Sequence, residues 1–291
     1  MSVGVQFGKN CGCVAFGLRG LFIVAALLFG FQKNDLYSQV RGRAIPRDYS
    51  KLSEVDTGNL RVYYAFNAED ISNQETYEDL HILEIGKHFS KYYSDFVFRN
   101  DSLCLVWIQE NPRAQSVPSI CLRLGYQSRH RWSEYYYSYL FKDLSQSSLT
   151  QFTIMTRPVP RYQYSENNLL QDWEILSDTL TVAGHLCQKA ICRFRGRDFV
   201  AWFTPDIPIN NGPWKFGGLP GLILKLYDTE KQYVFECTQI RQTTFPITKD
   251  DTSLFTETTR ENFRRVVARI YDGTLNPLRV GDEVWNPIEL E

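Results

Sequence analysis

The side chains with chemistry to offer fall into three groups. The first is His185, Cys187 and Cys192, with Cys237 further along, ligand types that suit a soft or borderline metal such as copper or zinc. Their spacing follows no standard metal motif, and no metal or other cofactor is assigned to them. In an oxidising compartment the same cysteines read more readily as disulfides. Five cysteines follow the first apolar run, Cys104, Cys121, Cys187, Cys192 and Cys237, so an odd sulfur remains. On one strand Cys187 and Cys192 would face opposite sides. Cys192 shares its face with Ala190 and Phe194, and Cys237 shares its face with Tyr233 and Phe235. A Cys192 to Cys237 bridge follows as one expectation, and Cys104 to Cys121 as another. The second group is Arg195, Arg197 and Asp198 around Gly196, with Glu166 upstream. An arginine paired with a carboxylate could clamp a small acid, but an exposed, salt-bridged hairpin turn is the simpler account of them.

The third group lies between Pro205 and Gly221, a run so dense in Pro and Gly that no regular element fits it. In it Gly217 and Gly218 can take positive φ, Pro220 fixes φ, and Gly221 permits close passage into a strand from Leu222. Read as architecture, Leu219 plugs one end of the core. Read as function, Trp214, Lys215, Phe216 and Leu219, with Trp202 and Arg197 nearby, form a mouth over a cavity or a patch for a partner. The four histidines, His81, His88, His130 and His185, are not spaced to set a base beside a nucleophile. No Gly-x-Ser-x-Gly elbow, His-Glu-x-x-His pair or phosphate loop occurs, so no catalytic residue is assigned.

The elements that position these residues are mostly strands. The chain has 291 residues, 43% hydrophobic and 14% aromatic, enough for one large core. With 32 Lys and Arg against 33 Asp and Glu, it lacks the basic excess of a nucleic-acid binder. Lys9 and Arg19 precede an apolar run, Leu21 to Phe31, too short to span a bilayer and apt for a secretory signal. Residues 1–39 are thus read as a signal region and 40–58 as a linker. Cys11 and Cys13 precede the apolar run, which argues against a lipid anchor. Residues 59–291 form one domain. Strands are expected over Leu60–Ala65, Leu80–Ile85, Leu103–Ile108 and Ile120–Leu124, then as a meander from Trp173 to Phe203 and over Leu222–Tyr227 and Gln232–Gln239. Phe263, Val266, Val267 and Ile270 recur at helical spacing behind Thr259, which predicts one C-terminal helix. The stretch from Asp272 onward is turn-rich and expected to be poorly ordered. The fold class is mainly β (α+β), a curved antiparallel sheet or half-open barrel with a C-terminal helix.

The ordered series Gln188-Lys189-Ala190, Arg195-Gly196-Arg197, Ala201-Trp202-Phe203-Thr204 and Ile207-Pro208-Ile209, ending in Gly218, Leu219, Pro220, Gly221, Leu222 and Ile223, resembles the GLPGLI family of exported Bacteroidota proteins. Ile85-Gly86-Lys87 and Ser90-Lys91 extend the resemblance upstream. It implies export and transfers no catalytic residue. Strand order alone also resembles the half-open barrels of periplasmic lipoprotein carriers, a fold analogy. Together these favour an exported cell-envelope protein, periplasmic or outer-membrane associated and without a stable membrane span once the signal is removed. It would hold an apolar ligand or a partner protein without catalysing a reaction. The alternatives are a hydrolase-like envelope enzyme and a metal-handling protein using Cys and His.

Overall fold

The computed structural model describes residues 52–113, 138–154, 160–167, 169–271, 274 and 286–291, without the side chains of 270 and 271. Contacts separate Met1–Arg41 from Gly42–Glu291, and only the second unit contains described residues. The expected signal region, the strand over Ile120–Leu124 and Cys121 lie outside them.

The first four strands are β1 (Ser53–Phe66), β2 (Asp79–Gly86), β3 (Phe89–Ser94) and β4 (Ser138–Asp143). Next come β5 (Ser148–Thr153), β6 (Tyr162–Asn167), β7 (Glu174–Val182) and β8 (His185–Phe194). The last four are β9 (Arg197–Thr204), β10 (Leu222–Asp228), β11 (Val234–Lys249) and the short β12 (Thr256–Glu257). They form one sheet in the order β12-β6-β5-β4-β3-β2-β1-β11-β10-β9-β8-β7. β12 and β6 are parallel, and every other neighbouring pair is antiparallel. The sheet is mixed and does not close, so the mainly β class holds. The strand signal begins at Ser53, inside the stretch read as linker, because Ser53 to Gly58 pair with the far end of β11.

Two helices complete the described fold. Helix α1 spans Asp95–Glu110, and the Ser94 hydroxyl caps it by accepting from the Val97 amide at 3.0 Å. Leu103–Ile108, expected as a strand, is the second half of this helix. A continuous apolar run has no period to separate strand from buried helix, and here the cap and the Asp95–Arg99 ion pair, 2.8 Å one turn apart, start the helix. Helix α2 spans Arg260–Tyr271, and Thr259 Oγ1 accepts from the Asn262 amide at 3.2 Å, as the capping pattern predicts. Among the described residues no helix is long and apolar enough to cross a membrane.

Alternation divides the sheet into two faces. One face carries the main core: Val62 and Tyr64 of β1, Leu83 and Ile85 of β2, Phe199 and Phe203 of β9, and Phe235 and Cys237 of β11. The other face carries Ala65, Tyr77 and Leu80 against Phe96 of α1, and separately Tyr139, Phe141, Phe152, Phe245 and Phe255. A bulge in β11 shifts the pairing from Tyr64↔Cys237 to Tyr63↔Gln239 and leaves Thr238 unopposed. That extra residue reverses the parity of the strand. Phe235 and Cys237 therefore face the main core, whereas Gln239 and Arg241 face the helix side.

Candidate functional site

The loop between β9 and β10 is interior. Trp214 is 2% exposed, Phe216 0% and Leu219 2%, and the Lys215 side chain is fully buried. Phe216 packs its ring against Phe194, Phe199, Trp173 and Trp214, and burying one such ring stabilises by about 1.5–3 kcal/mol. Trp214 has φ 51°, a left-handed conformation that a bulky residue keeps only where its surroundings enforce it. Gly218, at φ 87°, makes the turn into Leu219. A Cβ on Gly221 would stand 2.2 Å from the Thr204 carbonyl oxygen, so the hexapeptide needs glycine there. Trp214, Lys215, Phe216 and Leu219, expected at a mouth or on a partner patch, are thus buried in this loop.

Polar groups hold the loop to strands far apart in the sheet. Tyr64 Oη donates to the Ile223 carbonyl at 2.7 Å, and Asn211 Nδ2 donates to Ser90 Oγ at 2.9 Å. Trp173 Nε1 donates to the Gly217 carbonyl at 2.7 Å, and the Gly217 amide to Gln171 Oε1 at 3.1 Å. Lys142 of β4 donates to Asn211 Oδ1 at 2.8 Å and to the Phe216 carbonyl at 2.9 Å. Both acceptors are neutral, so burial lowers the Lys142 pKa to about 7.

Beneath the loop is a network of charges. Lys215 Nζ donates to Tyr164 Oη and Glu166 Oε2, both at 2.9 Å, and lies 2.7 Å from Glu289 Oε1. Arg195 and Arg260 both pair with Glu289, and Arg195 also pairs with Glu166. Tyr164 in turn donates to Gln151 at 2.6 Å. Burial alone would lower the Lys215 ammonium, but Tyr164, Glu289 and Glu166 raise it well above its ordinary 10.5. Burial likewise opposes ionisation of Glu289, yet Lys215, Arg195 and Arg260 hold its carboxyl down to about 2. Glu166 is lowered for the same reason. A second enclosed set joins Asp79 to His81 Nε2 at 3.1 Å and His81 Nδ1 to Tyr92 Oη at 2.6 Å. All three side chains are buried, which places this relay out of reach of a substrate.

The sequence-predicted residues are therefore scattered among roles. Arg195 does meet Glu166, as an internal tie and not as a clamp. Arg197 is buried, not exposed in a turn, and donates to the Pro287 carbonyl at 2.9 Å, to Gln232 at 2.8 Å and to Asp228 at 3.3 Å. Trp202 is half-buried with Lys189 over its ring. Residues 286–291, expected to be poorly ordered, bury Ile288 and Glu289. Cys192 and Cys237 share the main core, as parity suggested, but both are free thiols. Their strands are three places apart, roughly 14 Å at ~4.8 Å per strand, whereas a disulfide needs Cα atoms within ~7 Å. Cys104 lies on α1, with its expected partner Cys121 outside the described residues. Among the described residues no three His, Cys, Asp or Glu side chains gather as a metal site.

An open cleft of about 540 Å³ lies on the opposite face, between the start of α1 and strands β1 and β11. Tyr63, Tyr77 and Leu80 line it with Asp95 and Arg99 of α1, and the bulge adds Thr238, Gln239 and Arg241. Thr238 Oγ1 donates to the Tyr63 carbonyl at 3.3 Å, and the Arg241 guanidinium lies 5.2 Å from the Tyr63 ring centroid. Sequence reasoning missed this site. Its one local signal was the i,i+4 spacing of Asp95 and Arg99.

Two solved structures are similar to this chain, described as "Structure of PNGF-II in P21 space group" and "Structure of PNGF-II in C2 space group". Identities are 16% and 17%, each covers 73% of this chain, and the TM-score is 0.46 for both. The chain spans about a third of the length of those structures, 33% in each case. No curated protein matches it. Residues 193–225, which carry β9 and the buried loop, match a family described as "Protein of unknown function (Porph_ging)".

Proposed function

We propose that the protein is an exported cell-envelope protein of the GLPGLI type that binds a ligand or partner without catalysing a reaction, and that it does so through the α1–β1–β11 cleft. The observation that carries this reading is the division of labour between the faces. Beneath the loop the acids and bases are buried and engaged with one another, whereas the cleft is concave, open and lined by rings, amides and arginines. On the loop side, Trp214, Phe216 and Leu219 are packed into the main core. The cleft volume lies within the range of about 300–1,000 Å³ typical of ligand pockets. Export rests on the Leu21 to Phe31 run and its flanking charges. Expression of the full chain in a Bacteroidota cell tests it. A mature N-terminus beyond Phe31 in the envelope fraction supports export, and an intact Met1 in the cytosol overturns it.

A further inference from the structure

Resting on the reading of the cleft as the binding surface, we infer that its ligand is a small polyhydroxylated carboxylate, a sugar acid, whose carboxylate is taken by Arg241. The argument starts from the bulge at Thr238. Without that extra residue Arg241 would fall on the face of Cys237 and Phe235; with it, the guanidinium enters the cleft. Its cross-strand neighbour is Arg61. Like charges placed directly opposite are destabilising. Arg61 is neutralised by Glu84 at 2.8 Å, but among the described residues no carboxylate pairs with Arg241. The other cation of the cleft, Arg99, is matched by Asp95 at 2.8 Å. The Arg241 guanidinium is thus without a carboxylate partner among the described residues and stands over the Tyr63 ring with the donors of its planar fork available to a ligand.

A carboxylate suits that fork, because two parallel N–H bonds can be made to its two oxygens. One unpaired guanidinium suits a single carboxylate. The rest of the lining chooses among carboxylates. Gln74 and Gln239 present amides that both donate and accept, and the Ser72 and Thr238 hydroxyls, which donate to Asp70 Oδ1 and to the Tyr63 carbonyl, present acceptors, a mixed set that sugar hydroxyls can meet. An aliphatic acid would offer these groups no hydrogen bond in exchange for the water it displaces from them.

Titration of the full chain with glucuronate, glucose and acetate, followed by calorimetry, tests the inference. Glucuronate is expected to bind at least tenfold more tightly than either glucose or acetate. Arg241→Gln should weaken glucuronate at least tenfold with the thermal midpoint unchanged, and Ser72→Trp, which fills the cleft from its exposed rim, should abolish binding. Equal affinity for glucose or acetate, or indifference to Arg241→Gln, overturns the sugar-acid assignment. If Ser72→Trp still removes binding in those cases, the cleft reading stands without it. Absence of binding by all three probes overturns the assignment, and binding unaffected by Ser72→Trp overturns the cleft reading as well.

Discussion

Arg195, in the turn between β8 and β9, forms an ion pair with Glu166 of β6, although the two strands stand near opposite ends of the sheet. The pairing requires the sheet to curl until its two wings meet over the β9–β10 loop. Lys215 of that loop and Glu289 of the 286–291 segment complete the clasp.

Lys215→Met should be severely destabilising. Removing one partner of a buried ionic network leaves uncompensated charge and costs about 3–5 kcal/mol. Urea unfolding should show a matching fall in midpoint, and a loss below about 1 kcal/mol would mean that the network contributes little.

Acid should weaken the same clasp. Glu289 has its folded pKa depressed to about 2 from an ordinary 4.5. Its contribution is therefore fully present above pH 4.5 and is lost as pH falls towards about 2. Urea midpoints measured across that window should drop for the wild type, and Glu289→Gln should start lower and depend less on pH.

Lys142 should titrate near neutrality. With its folded pKa lowered to about 7 from 10.5, the neutral amine is favoured by folding, so its contribution to stability rises between those values. Competitive acetylation at a series of pH values should give a half-point near 7 for Lys142, and a half-point near 10 would contradict the buried, neutral setting.

The core thiols should be inert until the protein unfolds. Burial raises Cys187 to about 11 and both Cys192 and Cys237 to about 12, so almost no thiolate exists at pH 8. Maleimide labelling of these three residues without reductant should be slow in the native protein and complete in denaturant. Protection that persists in denaturant without reductant would reveal a disulfide.

Gly221→Ala should destabilise by more than about 1 kcal/mol, since the added methyl meets the Thr204 carbonyl, a backbone atom that cannot step aside. A thermal midpoint equal to that of the wild type would show that the hexapeptide tolerates relaxation.

Much of the architecture was legible because its signals are local. The turns at Ala183-Gly184 and Gly196, the loop rich in Pro and Gly, and α2 behind Thr259 all follow from residue type and spacing. The candidate site was not legible, because it depends on a change of parity. Gln239 and Arg241 look like a continuation of the face of Phe235 and Cys237 until one unopposed residue reverses them. Glu289 was missed for a different reason. Its partners are Lys215, Arg195 and Arg260, and nothing near it in sequence announces them.

The position of Glu289 also orders events in time. At roughly 5–20 residues per second of synthesis, the strands up to β11 emerge well before the carboxylate that completes the charge network under their loop. Until residue 289 is made, Lys215, Arg195 and Arg260 share the single acid Glu166, and the two wings of the sheet lack their final tie. A nascent chain halted anywhere before that point should remain open to proteases and chaperones, and resistance should appear abruptly once the 286–291 segment docks.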